Sequence, residues 1–259
     1  MAISQTLELA RICGELTGDG HIQLKEWRGL VSFYSKNLST IKDFEERFKG
    51  IFQVEGHIYT DDRRWRSYRI FFISKEVAKA LTSSGVPSGN KTDIPFLIPE
   101  WIFNGKPEIK AAYLRGIFSA EGSIYYTKRS DRWRIEIEMY KRESLKSEGK
   151  RFFTQIKDML ESLQIRCSPV RFGRKNKRKD GSYSIALKLD IEQPSFTNFY
   201  KEVGFADELK AKTLSEAIRP SLQRKGDGAN RRAEVSCHQA GLQSQAAQGD
   251  RLQIPALMS

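Results

Sequence analysis

Apolar residues recur at helical spacing through Phe152, Ile156, Met159, Leu160 and Leu163, which predicts an amphipathic helix. The stretch from Arg134 to Tyr140 instead alternates strictly, with Ile135, Ile137 and Met139 against Glu136 and Glu138, and predicts a strand with one wet face. Shorter alternations follow two glycines. After Gly20, Ile22 and Leu24 oppose His21, Gln23 and Lys25; after Gly122, Ile124 and Tyr126 oppose Ser123, Tyr125 and Thr127. Each glycine closes a helical pattern. Ser4 is the candidate N-cap of the first helix, and Pro107 opens the second at a favoured first-turn position.

The pattern occurs twice. Ile12 to Gly20 matches Leu114 to Gly122 at an offset of 102, most clearly in small residues four apart: Ala10, Gly14 and Gly18, then Ala112, Gly116 and Ala120. Trp27, Arg28 and Tyr34 pair with Trp133, Arg134 and Tyr140 at 106, and Phe44, Phe48 and Ile51 with Phe152, Ile156 and Met159 at 108. Tyr68 and Ile70 pair with Tyr183 and Ile185 at 115, and Gly85 with Gly204 at 119. An ordered, slowly growing offset describes two copies of one module with small loop insertions. The expected class is α+β, with two pseudo-symmetric αββαββα halves at 1–105 and 106–222. Beyond them, 223–259 is rich in Gly, Gln, Ala, Ser and Arg without an aromatic residue and is expected to be a disordered tail.

Composition narrows the partner. The 259 residues carry 44 Lys and Arg against 32 Asp and Glu, a formal charge of +12 with a pI near 9.6, so a polyanion comes first. No apolar run is long enough for a bilayer, and Glu8 and Arg11 near the start read against a signal peptide. Three cysteines (Cys13, Cys167, Cys237) and three histidines (His21, His57, His238) share no disulfide or zinc spacing. The chain reads as a soluble intracellular protein of unassigned compartment, with no membrane partner.

Two features carry chemistry. Stripes at Gly14 and Gly18, and at Gly116 and Ala120, allow two helix backbones to approach closely, so the two helices are expected to pack along them. That would bring Asp19 and Glu121 together at adjoining helix C-termini, where partial negative charge and unpaired carbonyls disfavour an acid. A hard divalent cation resolves the conflict, with the Gly18 and Ala120 carbonyls as further oxygen ligands. The second feature is basic. Arg63 to Arg69, Lys128 to Arg134 and Arg171 to Lys179 interleave arginine or lysine with aromatics on strand-like segments. Outward strand residues of this kind suit the major groove, and the candidates are Gln23, Lys25, Arg28, Lys36, Arg64, Arg66, Tyr125, Arg132, Arg134, Arg171, Arg174 and Lys175.

Gly14 to Gly20 and Gly116 to Gly122 resemble the two motifs of single-chain LAGLIDADG homing endonucleases, and Ile98-Pro99-Glu100-Trp101-Ile102 precedes the second as in many relatives. The resemblance covers about 5–220. It implies a monomer with an internal pseudo-twofold, the motif helices at its centre and the sheets forming a DNA-binding β-saddle. It implies cleavage of a long, nearly palindromic double-stranded DNA site, leaving short 3′ extensions, with two or three Mg²⁺ ions held by Asp19 and Glu121. It also implies a basic residue near each scissile phosphate, before the last helix of each half. Lys91 fits in the first half, and Lys210, ahead of Lys212, in the second. Glu15, Thr17 and Arg115 depart from the motif at positions expected to affect packing.

An intron-encoded endonuclease is the first reading. A maturase that binds intron RNA without needing the acids is the alternative, and a transcription regulator a third, although no helix-turn-helix accompanies the repeats. Neither end carries splicing blocks, so an intein-embedded form is not expected. No His, Ser or Cys constellation offers a covalent nucleophile.

Overall fold

The computed structural model describes residues 3–62 and 67–219. The first half runs α1 (Ile3–Asp19), β1 (Gly20–Leu24), β2 (Gly29–Ser35), α2 (Leu38–Phe52), β3 (His57–Asp61), β4 (Ser67–Ile73) and α3 (Lys75–Ser83). A short α4 (Glu100–Phe103) leads into the second, which runs α5 (Pro107–Glu121), β5 (Gly122–Thr127), β6 (Arg132–Arg142), α6 (Lys146–Ser162), β7 (Arg171–Lys177), β8 (Tyr183–Ile191) and α7 (Phe196–Glu202). A further helical stretch begins at 208. Two antiparallel four-stranded sheets result, ordered β1-β2-β4-β3 and β5-β6-β8-β7, which is the expected α+β repeat. Met1–Ser215 forms one compact unit containing both halves. Arg64, Arg66 and the 223–259 tail lie outside the described residues.

Each sheet buries one face beneath its helices. In the first half, Phe44 stacks on Phe33 at 4.3 Å and Phe48 on Phe72 at 3.9 Å between ring centres. In the second, Ile135, Ile137, Leu187 and Leu189 are fully buried with Phe152 and Ile156 of α6. Apolar burial of this extent stabilises each half by roughly 25 cal/mol per Å² removed from water.

The strand ladders correct the repeat alignment. Gly20 pairs with Phe33 and Gly122 with Ile137, so Phe33 stands where Ile137 stands, and the pairing of Trp27 with Trp133 is out of register by two residues. On the next ladder Phe33 pairs with Ile70 and Ile137 with Leu189, so Ile70 matches Leu189 rather than Ile185. Both errors are even-numbered, so they left every side chain on its proper face. The match of Gly85 with Gly204 holds, since both take positive φ, 93° and 64°.

Two terminal assignments also change. Ser4 lies inside α1 rather than capping it. Gly122 ends α5 with φ −78°, outside the left-handed region, so its requirement is steric: an added Cβ would sit 2.9 Å from the Phe118 ring.

Candidate functional site

The small-residue stripes hold α1 against α5. A Cβ on Gly14 would lie 2.9 Å from the Ile117 nitrogen and overlap the Tyr113 carbonyl, and one on Gly116 would lie 2.9 Å from the Glu15 nitrogen and overlap the Arg11 carbonyl. The clashes are reciprocal and involve backbone, so no rotamer relieves them. Further along, a Cβ on Gly18 would overlap the Ala120 methyl and lie 3.1 Å from Cγ of Glu121. The stripe therefore sets how closely the two acid-bearing ends converge.

Asp19 is the last residue of α1 and Glu121 the last of α5. Burial and then the negative charge of Asp19 push the Glu121 carboxyl up to about 7, against the opposing pull of Lys91 and Lys210, while Glu138 of β6 adds further repulsion. Desolvation also raises Asp19, against Lys91, Lys210 and Lys36; Asp19 keeps solvent exposure, so solvent screens part of this effect. Burial of both carboxyls, with the Asp19 charge acting on Glu121, thus opposes their full ionisation side by side despite the nearby lysines.

Both expected lysines reach it. Nζ of Lys91 donates to the Leu16 carbonyl at 3.2 Å and to the Gly18 carbonyl, and Nζ of Lys210 donates to the Ser119 carbonyl at 2.6 Å and, weakly, to that of Ala120 at 3.5 Å. Ammonium groups at helix C-termini satisfy orphan carbonyls and oppose the dipole. The Gly18 and Ala120 carbonyls, expected as metal ligands, thus have lysine donors here. Burial pulls Lys91 down to about 8, against the pull of Glu121 and Asp19, and lowers Lys210 as well. Lys212 is exposed, so Lys210 is the residue that fits. Lys91 lies in the loop between α3 and α4, ahead of the last helix within 1–105 as expected, whereas Lys210 lies inside the helical stretch that begins at 208 rather than before it. His21, Lys91, Glu121 and Glu138 line a cleft of about 570 Å³ beside the helix ends. Among the described residues no group of three or more His, Cys, Asp or Glu side chains is placed to hold a metal ion.

The basic candidates divide. Gln23, Lys25, Arg28, Lys36, Tyr125, Arg132 and Arg174 are exposed, and Arg134 is half-buried. Arg171 pairs with Asp190, however, and Lys175 with Glu143 at 2.7 Å, so these two cations are already engaged. Lys128–Ser130 forms a 3-10 turn rather than strand, and among the described residues only β7 carries a long exposed basic run. Sequence reasoning missed Glu138, although its place opposite Ile137 in a clean alternation shows that it leaves the core.

The motif departures acquire reasons. Glu15 is 1% exposed and is clamped by Arg47 through two bonds of 2.9 Å and by Arg11 at 3.3 Å. Burial pushes its carboxyl up, while Arg47 and Arg11 oppose this. Thr17 Oγ1 donates to the Cys13 carbonyl at 2.7 Å, and Nε of Arg115 donates to the Val203 carbonyl at 2.6 Å, tying α5 to the end of α7.

Paired αββαββα halves joined by two glycine-striped helices, with an acid at the end of each, have the two-motif LAGLIDADG fold. Residues 108–204 match the model of the LAGLIDADG-like domain. The same fold occurs in I-DmoI in complex with DNA and Mn, at a TM-score of 0.51 and 16% identity over 77% of this chain and 97% of that one. It occurs also in full-length DUF199/WhiA from Thermotoga maritima, at a TM-score of 0.50 and 14% identity over 93% of this chain and 70% of that one. Among curated proteins, the tRNA-splicing ligase RtcB of Methanopyrus kandleri is 24% identical over 210 residues, or 76% of this chain. The chain spans only a fifth of that ligase, so the similarity concerns a segment of it. Among the described residues no helix is long and apolar enough to cross a membrane.

Proposed function

We propose that the protein is a site-specific endonuclease that hydrolyses both strands of a long, pseudo-palindromic DNA site with Mg²⁺, leaving short 3′ extensions, and that it is encoded within an intron. The observation that carries this reading is the convergence of Asp19 and Glu121 at adjoining helix ends, with one lysine brought to each. A pure DNA- or RNA-binding protein, the maturase alternative included, has no use for two adjoining acids, one raising the pKa of the other and both repelling phosphate.

The donor set suits a hard divalent ion, because carboxylates strained by burial and mutual repulsion are relieved by one. Asp19 and Glu121 would hold the metal, while the Gly18 and Ala120 carbonyls stay with their lysine donors. Bound there, Mg²⁺ supplies activation of water and stabilisation of the leaving oxygen. The chain's own groups do the rest. The lysines place positive charge where a phosphorane would gain negative charge, Lys91 at one helix end and Lys210 at the other. The exposed basic and polar residues of the two sheets hold the DNA backbone and read base edges, and the pseudo-twofold assigns one half to each strand.

The test uses wild type, Asp19→Asn and Glu121→Gln on a DNA library in Mg²⁺, with gel shifts in EDTA. Wild type is expected to cut. Glu121→Gln should not cut and should bind as tightly as wild type or slightly more so, since one charge repelling the phosphate is gone. Undiminished cutting by Glu121→Gln removes the acids from the mechanism. A folded variant that neither binds nor cuts makes them architectural.

A further inference from the structure

The tip of each lysine rests on the motif helix of its own half, but the backbone behind it is held by the other half. After α3 the chain is anchored at home by Ser88 and Gly89, which both donate to the Ile22 carbonyl at 3.0 and 2.9 Å. It then lies on the second half. Lys141, at the end of β6, is 2% exposed, and its Nζ donates to the Lys91 carbonyl at 2.6 Å and the Ile94 carbonyl at 2.8 Å while lying 3.6 Å from the centre of the Phe96 ring. The Arg142 backbone donates to the Thr92 carbonyl at 2.8 Å, and its Nε to Asp93 at 2.9 Å. Arg178, beyond β7, closes on the same carboxylate at 2.9 Å. The Arg178 and then the Arg142 hydrogen bonds hold Asp93 well below the usual carboxylate range.

A buried ammonium that faces carbonyls and a ring, with no acid bonded to it, is a costly way to fill an inward strand position. An apolar residue there would serve stability better, so the bonds to the Lys91 backbone are what the lysine adds.

The opposite side repeats the plan with other residues. Asp207, 8% exposed, accepts from the Lys210 nitrogen at 2.9 Å through one oxygen and from Nδ2 of Asn37 at 2.6 Å through the other. Asn37 lies just beyond β2. It is four residues past Phe33, as Lys141 is four past Ile137, and those two residues occupy equivalent register positions.

We propose that Lys141 and Asn37 are positioning residues acting across the pseudo-twofold: Lys141 fixes Lys91, and Asn37, through Asp207, fixes Lys210. Each sheet thereby sets the lysine of the opposite half. The proposal rests on the endonuclease reading for its effect on strands, and its geometry can be tested without that reading.

Single-turnover cleavage is followed on the site recovered with wild type, with each strand labelled separately. Lys141→Met should slow one strand about tenfold or more, the strand that Lys91→Met slows, and leave the other within about twofold. Asn37→Ala should slow the other strand, the one shared with Lys210→Met. DNA affinity in EDTA should stay within about twofold of wild type in both variants. Equal slowing of both strands, unchanged rates, or slowing of the wrong strand overturns the proposal.

The second readout needs no cleavage. Acetic anhydride labelling of the full chain, read by mass spectrometry, should show Lys91 several-fold more reactive in Lys141→Met with Lys210 unchanged, and the reverse in Asn37→Ala. Asp93→Asn serves in place of Lys141→Met if the latter does not fold. Unchanged labelling overturns the positioning role whether or not the protein cuts. Selective labelling with a wild type that never cuts DNA supports the positioning and overturns the endonuclease reading alone.

Discussion

The motif helices α1 and α5 share a stripe, an ending and a partner, yet their undersides differ. Where α1 carries Glu15, locked by Arg47 and Arg11, the equivalent turn of α5 carries Ile117, fully buried and apolar. The backbones meet in the same way from both sides because the close contact uses only small residues. What lies behind the stripe is therefore free to be an ion cluster in one half and hydrocarbon in the other. Pseudo-symmetry is enforced at the interface and at the acids, and relaxed one turn away.

The shared stripe gives the largest expected effect. Gly116→Leu forces a branched side chain onto the Arg11 carbonyl and should abolish the cooperative melt or the assembled fold, beyond the 1–3 kcal/mol typical of overpacking. Gly50→Ala, where an added methyl meets nothing within 4 Å, should be neutral or slightly stabilising in the same thermal melts. Wild-type melting by Gly116→Leu would place the helix interface elsewhere.

The undersides come next. Arg47→Met leaves Glu15 buried with only Arg11 beside it and should cost about 3 kcal/mol in urea unfolding. Adding Glu15→Leu, which gives α1 the apolar character of α5, should recover much of that loss. If the double variant is no more stable than Arg47→Met, the ion cluster does not set the difference between the helices.

The acids themselves differ, and pH separates them. Glu121 binds its proton more tightly folded, at about 7, than at its ordinary 4.5, so without metal this group makes stability fall as pH rises between about 4.5 and about 7. The groups facing it are Asp19, Lys91, Lys210 and Glu138. Glu121→Gln should flatten the slope of melting temperature in that window more than Asp19→Asn does. Added Mg²⁺ should raise the wild-type melting temperature most at the upper end, where both acids are charged. An equal response from the two variants would make the acids equivalent.

The smallest effect concerns the second sheet's basic strand. Affinity for DNA should fall steeply and linearly with salt on logarithmic axes. Arg174→Ala should reduce that slope by about one unit, while Arg171→Ala and Lys175→Ala, whose cations already face Asp190 and Glu143, should reduce it less. Three equal slopes would mean that DNA displaces the internal acids.

Much of this was legible in the chain. Glycine and alanine four apart announced the central contact, because only small residues permit it, and a repeated acid after each stripe announced the site. Alternation assigned faces correctly even where the repeat was misaligned, since faces depend on parity and not on absolute register. The true register needed the ladders, because chance identities such as Trp27 and Trp133 outweigh the weak likeness of Phe33 to Ile137. Parity could also have revealed Lys141, which continues the inward set Ile135, Ile137 and Met139; its charge argued otherwise. Sequence by itself thus determined the duplicated α+β module, its central stripe and its pair of acids, all of which are periodic and local. Only tertiary structure decided that Arg171 and Lys175 face acids, that Arg47 reaches Glu15, and that Lys141 and Asn37 reach across the pseudo-twofold, because the first three pairs join separate elements that meet only when each half folds, and the last two meet their partners only when the halves close on each other.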